Sequence, residues 1–179
     1  QTDLEQGSAA KDDFRTTSGG IVYAVGAGGT ITGYGAGGMD SRFKGAIVID
    51  DPHKADEATS EVMRQNVIDW FQTTLESRKN SPDTPIVLIM QRLHENDLAG
   101  WLLAGGNGEE WECVKIPAID DEGDSFWPEQ FPLDMLRRLE AANPYIFAGQ
   151  YMQNPAPKSG GVFDAHKIEI IDALPAGVT

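Results

Sequence analysis

The sequence is short of cysteine, of positive charge and of long apolar runs, and each shortage excludes a class of protein. Its single cysteine, Cys113, cannot form an internal disulfide, which favours a reducing, cytoplasmic setting over secretion. Lys and Arg number 14 against 28 Asp and Glu, so the net charge of -14 repels nucleic acid as a whole. No run reaches the roughly 18 apolar residues that cross a bilayer, and the N-terminal residues lack the apolar core of a signal peptide. We therefore expect an untargeted protein without a membrane span, in which any contact with DNA is local.

What the sequence does contain is an alternation of apolar runs with segments of helical period. With 179 residues, 40% of them hydrophobic, the chain fits one main domain. The polar residues 1–18 are predicted to form a loop or a frayed entry to the domain. Strands are predicted over residues 21–25, 46–49, 85–90 and 111–116, with 46–49 buried on both faces. Helices are predicted over residues 57–79, 97–103, 133–142 and 145–151. The alternation predicts an α/β fold with a mainly parallel sheet flanked by helices, in which ligands gather at the carboxyl ends of the strands.

Two adjacent carboxylates, Asp50 and Asp51, end the apolar run IVIDDP. Transfer of a phosphoryl group from ATP uses such a pair, because one carboxylate holds Mg²⁺ through its water shell while its neighbour orients the attacking water. Asp50 suits the first role and Asp51 the second. The alternative is a strand end that leads into an ordinary Asp-Pro turn.

The run PIVLIMQRLHENDLAG places Gln91 at the end of a second predicted strand. A polar side chain there can sense the γ-phosphate and pass its state to moving parts, so Gln91 is a candidate for coupling. His94, in the same run, is predicted to be a hydrogen-bonded loop histidine. A metal cluster of His53, His94, Glu95 and Asp97 is the alternative, although its spacing matches no zinc pattern.

Glycine is concentrated in residues 26–39, GAGGTITGYGAGGM, which predicts tight turns or a close approach of two backbones. This run is not a phosphate-binding loop, because the chain contains no GK[ST] triplet and therefore no lysine cradle for the β and γ phosphates. Arg42 follows the glycines and precedes Asp50 by eight residues. An arginine on a glycine-flanked loop can reach the ATP of a neighbouring subunit and offset charge in the transition state. The alternative for Arg42 is a solvated surface arginine.

In their order and spacing, several stretches of the sequence resemble the large terminase subunits of tailed bacteriophages and related prophages. The similarity covers most of the chain, in the stretches SGGIVYAVGAGGTITGYGAG, GAIVIDDPHKADEA, IMQRLHENDLAGWLL, EWECVKIPAI, WPEQF and PYIFAGQYMQNPAP. In that family these stretches belong to the ATPase domain of a DNA-packaging motor, a P-loop fold of the additional-strand type. The resemblance implies that residues 1–153 are the C-terminal part of this domain and that residues 154–179 are a linker toward a nuclease domain.

The resemblance also implies roles for four residues. Asp50 is the Walker B residue that binds Mg²⁺, and Asp51 takes the catalytic carboxylate position, where many packaging motors have Glu. Arg42 matches an arginine that precedes Walker B and acts as a trans-acting finger. Gln91 stands where a small hydroxylic residue usually marks the coupling motif.

ATP and Mg²⁺ are the cofactors that the resemblance implies. The implied partners are double-stranded DNA, the portal protein and the small terminase subunit, with a ring-forming homo-oligomer on the portal in the host cytoplasm. The Walker A segment would precede this sequence and the nuclease carboxylates would follow it, so the chain is expected to be a fragment. Without the lysine cradle we expect it to hydrolyse ATP weakly or not at all.

Two other functions remain open on the sequence. A metal-dependent nuclease or hydrolase would use Asp50, Asp51, His53 and His94 directly as a metal cluster, and would bind Mn²⁺ or Mg²⁺ without nucleotide. A catalytically inactive prophage remnant would keep the fold as an interaction module.

Overall fold

The computed structural model describes residues 3–9, 12–26, 29, 31, 33–38 and 43–156. Arg42 therefore lies outside the described residues. So does the predicted linker from residue 157 onward. Mixed helices and small sheets make up the described part, which agrees with the predicted α/β class.

The N-terminal residues form a three-stranded antiparallel sheet of β1 Leu4–Ala9, β2 Asp13–Thr16 and β3 Ile21–Tyr23, in that order. β3 confirms the strand predicted at 21–25. The loop predicted for residues 1–18 is wrong over these two strands, because β1 and β2 pair through their backbones as antiparallel neighbours. The turn between β2 and β3 is closed by Gly19, whose φ of 83° suits glycine, and by a bond from the Thr16 amide to the Gly20 carbonyl (2.9 Å).

A second sheet contains the two apolar strands that precede the polar strand ends. β4 Ile47–Asp50 and β5 Ile86–Ile89 pair in parallel, with Ile47 opposite Ile86 and Asp50 opposite Ile89. Both strands were predicted, to within a residue at each end. The sheet content as a whole is not mainly parallel, because three of the five described strands are antiparallel. The strand predicted at 111–116 is wrong as well, since within the described ranges no hydrogen bond joins residues 112–116 to another segment.

The predicted helices are present with corrected ends. They are α1 Glu61–Trp70, α2 Leu98–Leu103, α3 Leu133–Ala142 and α4 Pro144–Ile146. A π turn over Phe71–Leu75 and a 3-10 turn over Glu76–Arg78 extend α1, and a π turn over Phe147–Tyr151 extends α4. The predicted start at residue 57 is wrong, because the Ser60 side chain caps α1 by accepting the Met63 amide (3.4 Å). Among the described residues, no helix has the length and apolarity to cross a membrane.

The main core lies on one face of the β4–β5 sheet. Its buried residues come from β4, from α1 with its extension and from α2: Ile49, Ile68, Phe71, Leu75, Leu98 and Leu102. Trp101 and Trp111 pack on Phe71, with ring centroids 6.1 and 6.3 Å away. A smaller core of Ile119, Leu136 and Phe147 joins α3 to the extension of α4. The first core fixes the loops that follow β4 and β5, which is where the polar residues of interest lie.

The opposite face of the β4–β5 sheet is open. Val48, Val87 and Ile89 point to this face and are 61%, 44% and 55% exposed. The prediction that residues 46–49 are buried on both faces is therefore wrong on this side. An exposed apolar face is unusual for a parallel sheet, because both faces of such sheets are normally covered.

Candidate functional site

The two carboxylates lie at the carboxyl end of β4. Asp50 is the last residue of the strand, and Asp51 follows it directly with both side chains exposed. The Asp51 amide donates to the Ile89 carbonyl (2.9 Å), so the backbone of Asp51 is still held by β5. Asp51 has a φ of 40°, a left-handed conformation that costs energy in a residue other than glycine. The chain therefore turns sharply just after the pair and leaves both carboxylates at the edge of the sheet.

Gln91 approaches this pair from the end of β5. Its backbone amide donates to Oδ1 of Asp51 (3.3 Å), which joins the two strand ends across 40 residues of sequence. The Asp50 carboxylate makes no hydrogen bond or ion pair with another described residue. The structure thus brings together three of the four predicted residues, Asp50, Asp51 and Gln91, while Arg42 lies outside the described residues.

Asp97 organises the loop between β5 and α2, although its side chain is completely buried. It caps α2 by accepting the Gly100 amide (2.9 Å), and it also accepts the amides of Leu93 (3.0 Å) and His94 (3.3 Å). Nε of Arg92 lies 3.0 Å from both carboxylate oxygens. A buried charge with this many partners acts as a structural anchor. The sequence carries one signal for this role, the aspartate that begins the run DLAG, because Asp directly before a helical run is a typical N-cap residue.

His53 is the other buried polar residue of the strand-end loops, with 8% of its surface exposed. Its Nε2 accepts the Leu98 amide (2.8 Å), which joins the loop after β4 to the first residue of α2. Burial lowers the pKa of His53, Arg64 lowers it further, and Asp97 opposes both. Arg64 is itself buried and donates from Nη1 to the Ala58 carbonyl (2.8 Å). The environment of His53 therefore favours the neutral imidazole that can accept a hydrogen bond.

His94 behaves as the loop histidine that the sequence predicts. Its Nδ1 accepts the Asn96 amide (3.0 Å), and burial, followed by Arg64, lowers its pKa. The alternative metal cluster has no support in the geometry, because Nε2 of His53 and both oxygens of Asp97 are engaged by protein donors. In the ranges that the structure describes, no group of three or more His, Cys, Asp or Glu is arranged to hold a metal.

Gln153 is a site residue that sequence reasoning missed. Its Oε1 accepts the Arg92 amide (3.2 Å), and its Nε2 donates to the Gln150 carbonyl (2.8 Å). With a φ of 55°, Gln153 turns the chain after the helical extension back onto the β5 loop. A positive φ in a glutamine leaves no pattern in the sequence, so only the fold could bring this residue to the site.

The glycine run approaches a backbone closely, as predicted, but at the far end of β5. The Ala36 amide donates to the Arg78 carbonyl (2.9 Å), and the Asn80 amide donates to the Ala36 carbonyl (2.8 Å). A Cβ on Gly37, which has a φ of 88°, would overlap the Thr84 hydroxyl. Because Thr84 lies just before β5 begins, the described part of the glycine run contacts the end opposite to Gln91.

A cleft of about 340 Å³ lies beside β5 and α2. Leu88, Met90 and Arg92 form one wall, and the unpaired segment 112–115 forms another. Neither Asp50 nor Asp51 borders this cleft, so it is separate from the acidic strand end.

Comparisons of the chain with models of protein families, with curated proteins and with solved structures give no match. The resemblance to large terminase subunits therefore depends on the quoted sequence stretches, and the activity that it implies is taken up below as a proposal.

Proposed function

We propose that the chain is part of the ATPase domain of a DNA-packaging motor, a large terminase subunit that uses ATP to translocate double-stranded DNA into a capsid. The observation that carries this proposal is the acidic pair, Asp50 and Asp51, at the carboxyl end of a parallel strand with Gln91 beside it. Nucleotides bind at this end of parallel sheets, where strand ends leave side chains free for ligands.

The two carboxylates suit different steps of phosphoryl transfer. Asp50 is exposed and free of protein partners among the described residues, so its oxygens would hold a hydrated Mg²⁺, which would offset the negative charge of the phosphates during transfer. Asp51 keeps one oxygen on the Gln91 amide and has the other available to orient the attacking water. Through the same bond, a shift of the Asp51 side chain on loss of the γ-phosphate would move the loop that begins at Gln91. Arg42 is proposed as a trans-acting finger on the resemblance alone.

The phosphate-binding part of the site is proposed to come from polypeptide outside this sequence. The chain has no GK[ST] triplet, so the β and γ phosphates lack a lysine here. The open face of the β4–β5 sheet supports this proposal, because Val48, Val87 and Ile89 remain partly exposed there, although both faces of a parallel sheet are normally covered. By itself the chain is expected to hydrolyse ATP weakly or not at all.

The proposed partners are double-stranded DNA, the portal protein and the small terminase subunit, with the motor forming a ring on the portal. The net charge of -14 makes this chain a poor general surface for DNA phosphates. The proposal therefore assigns the grip on DNA to other parts of the motor and gives this chain the hydrolysis step.

The test is DNA-stimulated ATP hydrolysis by a longer protein that includes the natural upstream sequence. Asp50→Asn and Asp51→Asn should each lower kcat by about 100-fold or more, because each removes one charge from the hydrolysis step. Asp56→Asn is the matched control, since it removes an exposed carboxylate of the following turn and should leave kcat within about twofold. Full activity of Asp50→Asn would exclude the proposed mechanism. Inactivity of the unsubstituted longer protein would favour an inactive remnant.

A further inference from the structure

Two hydrogen bonds join the loop that follows β4 to the segment that follows β5, one to its loop and one to the first residue of α2. The Gln91 amide donates to Oδ1 of Asp51 (3.3 Å), and the Leu98 amide donates to Nε2 of His53 (2.8 Å). The first bond is long and lies at the exposed edge, whereas the second is short and buried. A short bond in a dry setting resists opening better than a long bond in water. The position of the first loop against the second is therefore determined mainly at His53.

The far side of the buried bond is rigid. Leu98 follows Asp97, whose carboxylate accepts the amides of Leu93, His94 and Gly100 and faces Arg92. Leu98 itself is completely buried in the main core. An acceptor that docks on the Leu98 amide is consequently fixed to the core and to the β5 loop together.

The turn that precedes His53, on the other side of this bond, needs a restraint. Asp51 has a φ of 40°, and residues other than glycine keep this conformation only when their surroundings hold it. His53 is two residues further along, after the buried Pro52. A bond at His53 therefore restrains the turn that presents both carboxylates.

Histidine suits position 53 because its neutral ring can accept a hydrogen bond in a buried environment. The charged groups that act on it are Asp97, at the start of α2, and Arg64, on α1. Burial and Arg64 favour the neutral ring over Asp97, so Nε2 keeps the lone pair that the Leu98 amide needs.

We propose that His53 is a positioning residue for the acidic pair: by accepting the Leu98 amide, its ring holds the turn of Asp50 and Asp51 in register with the Gln91 loop. The mechanical part of this role needs only the geometry. Its catalytic consequence rests on the proposed function, in which Asp50 and Asp51 act on ATP and Mg²⁺.

The test is amide hydrogen exchange of Leu98 and Gln91 in this chain. His53→Leu should speed exchange at both amides by about tenfold, because the lost buried bond loosens the turn that carries the Asp51 acceptor. His53→Gln keeps an acceptor at the position of Nε2 and should restore both amides to within about threefold of the wild-type rate.

His94→Leu is the matched control, because it also removes a half-buried histidine acceptor, but one that bonds only within its own loop. Exchange at Gln91 should rise at least about fivefold more in His53→Leu than in His94→Leu. Equal rises in the two variants, or a rise at Leu98 alone, would leave His53 as a packing residue and overturn the proposal. If His53→Leu does not fold, His53→Asn replaces it, since its shorter side chain withdraws the acceptor while staying polar.

Activity separates this inference from the proposed function. In the longer protein, His53→Leu should lower kcat by about tenfold and leave the KM for ATP within about twofold, since it displaces the carboxylates and not the phosphate loop. If Asp50→Asn retains full ATPase activity while Gln91 exchange still responds to residue 53, the proposed function fails and the positioning role stands. If Asp50→Asn is inactive while exchange at Gln91 ignores residue 53, the positioning role fails alone.

Discussion

The two faces of the β4–β5 sheet carry the same kinds of side chain in different surroundings. On one face, Ile49 packs into a core with Phe71 and Leu98, and all three are nearly or completely buried. On the other face, Val48 and Ile89 are more than half exposed. Alternation along a strand therefore separates residues that hold this fold together from residues available to a further layer. The comparison predicts that equal substitutions on the two faces have very different effects.

Phe71→Ala should produce the largest loss of stability. Phe71 has no exposed surface and lies between Trp101 and Trp111, so its removal leaves a cavity that neighbouring rings fill poorly. We expect the free energy of unfolding in urea to fall by about 3–5 kcal/mol. Val87→Ala on the open face should change it by less than about 0.5 kcal/mol. Similar losses in the two variants would mean that the open face is covered in solution, and would break the comparison.

Buried and exposed carboxylates of the chain should differ in the same way. Asp97→Asn removes a buried charge that faces Arg92, and should lower the free energy of unfolding by about 2–3 kcal/mol. Asp134→Asn breaks an exposed pair on α3, in which Arg138 lies 2.7 Å from Asp134 and lowers the pKa of that carboxyl group. Since water screens this pair, no measurable change is expected in urea unfolding. A loss in Asp134→Asn as large as that in Asp97→Asn would refute the anchoring role of Asp97.

Much of the structure on the buried face of the β4–β5 sheet could be predicted from the sequence. The apolar strands β4 and β5, the stripe of α1 and the helix after Asp97 leave local patterns, because strands and helices repeat with fixed periods. The same patterns place Asp50, Asp51 and Gln91 at strand ends. Their contact could be expected once the strands were taken as parallel neighbours.

What could not be predicted depends on residues distant in sequence. The pairing of β1 with β2 uses backbone groups, and segment 112–116 has strand-forming residues that no other strand of the described ranges joins. His53 and Gln153 reach the site through bonds across 45 and 61 residues, to which no local pattern corresponds. The open face was missed because an apolar run predicts burial without showing what covers it.

The buried histidine His53 should make the stability of the chain depend on pH. The pKa of His53 is lowered in the folded protein, so below about pH 6.5 the unfolded chain binds a proton that the folded chain refuses. Stability should therefore fall as the pH drops from about 7 to about 5, until the folded pKa is reached. His94 contributes with the same sign. His53→Gln should reduce this loss in urea unfolding at the two pH values, while an unchanged loss would show that His53 is not buried neutral.

The smallest effect on stability is expected for Ile89→Thr. Ile89 is 55% exposed at the end of β5, and threonine keeps the β-branched shape that strands favour, so the free energy of unfolding should change by less than about 0.5 kcal/mol. Its effect should be on association, because Val48, Val87 and Ile89 form an apolar surface that copies of the chain can bury against one another. Sedimentation at several concentrations should show a lower average mass for Ile89→Thr than for the wild type. Val62→Thr is the control, because it also replaces an exposed β-branched apolar side chain by threonine, but on α1, where Val62 is 68% exposed. If both variants associate like the wild type, the open face is not a contact surface, and an apolar side chain there is merely tolerated in water.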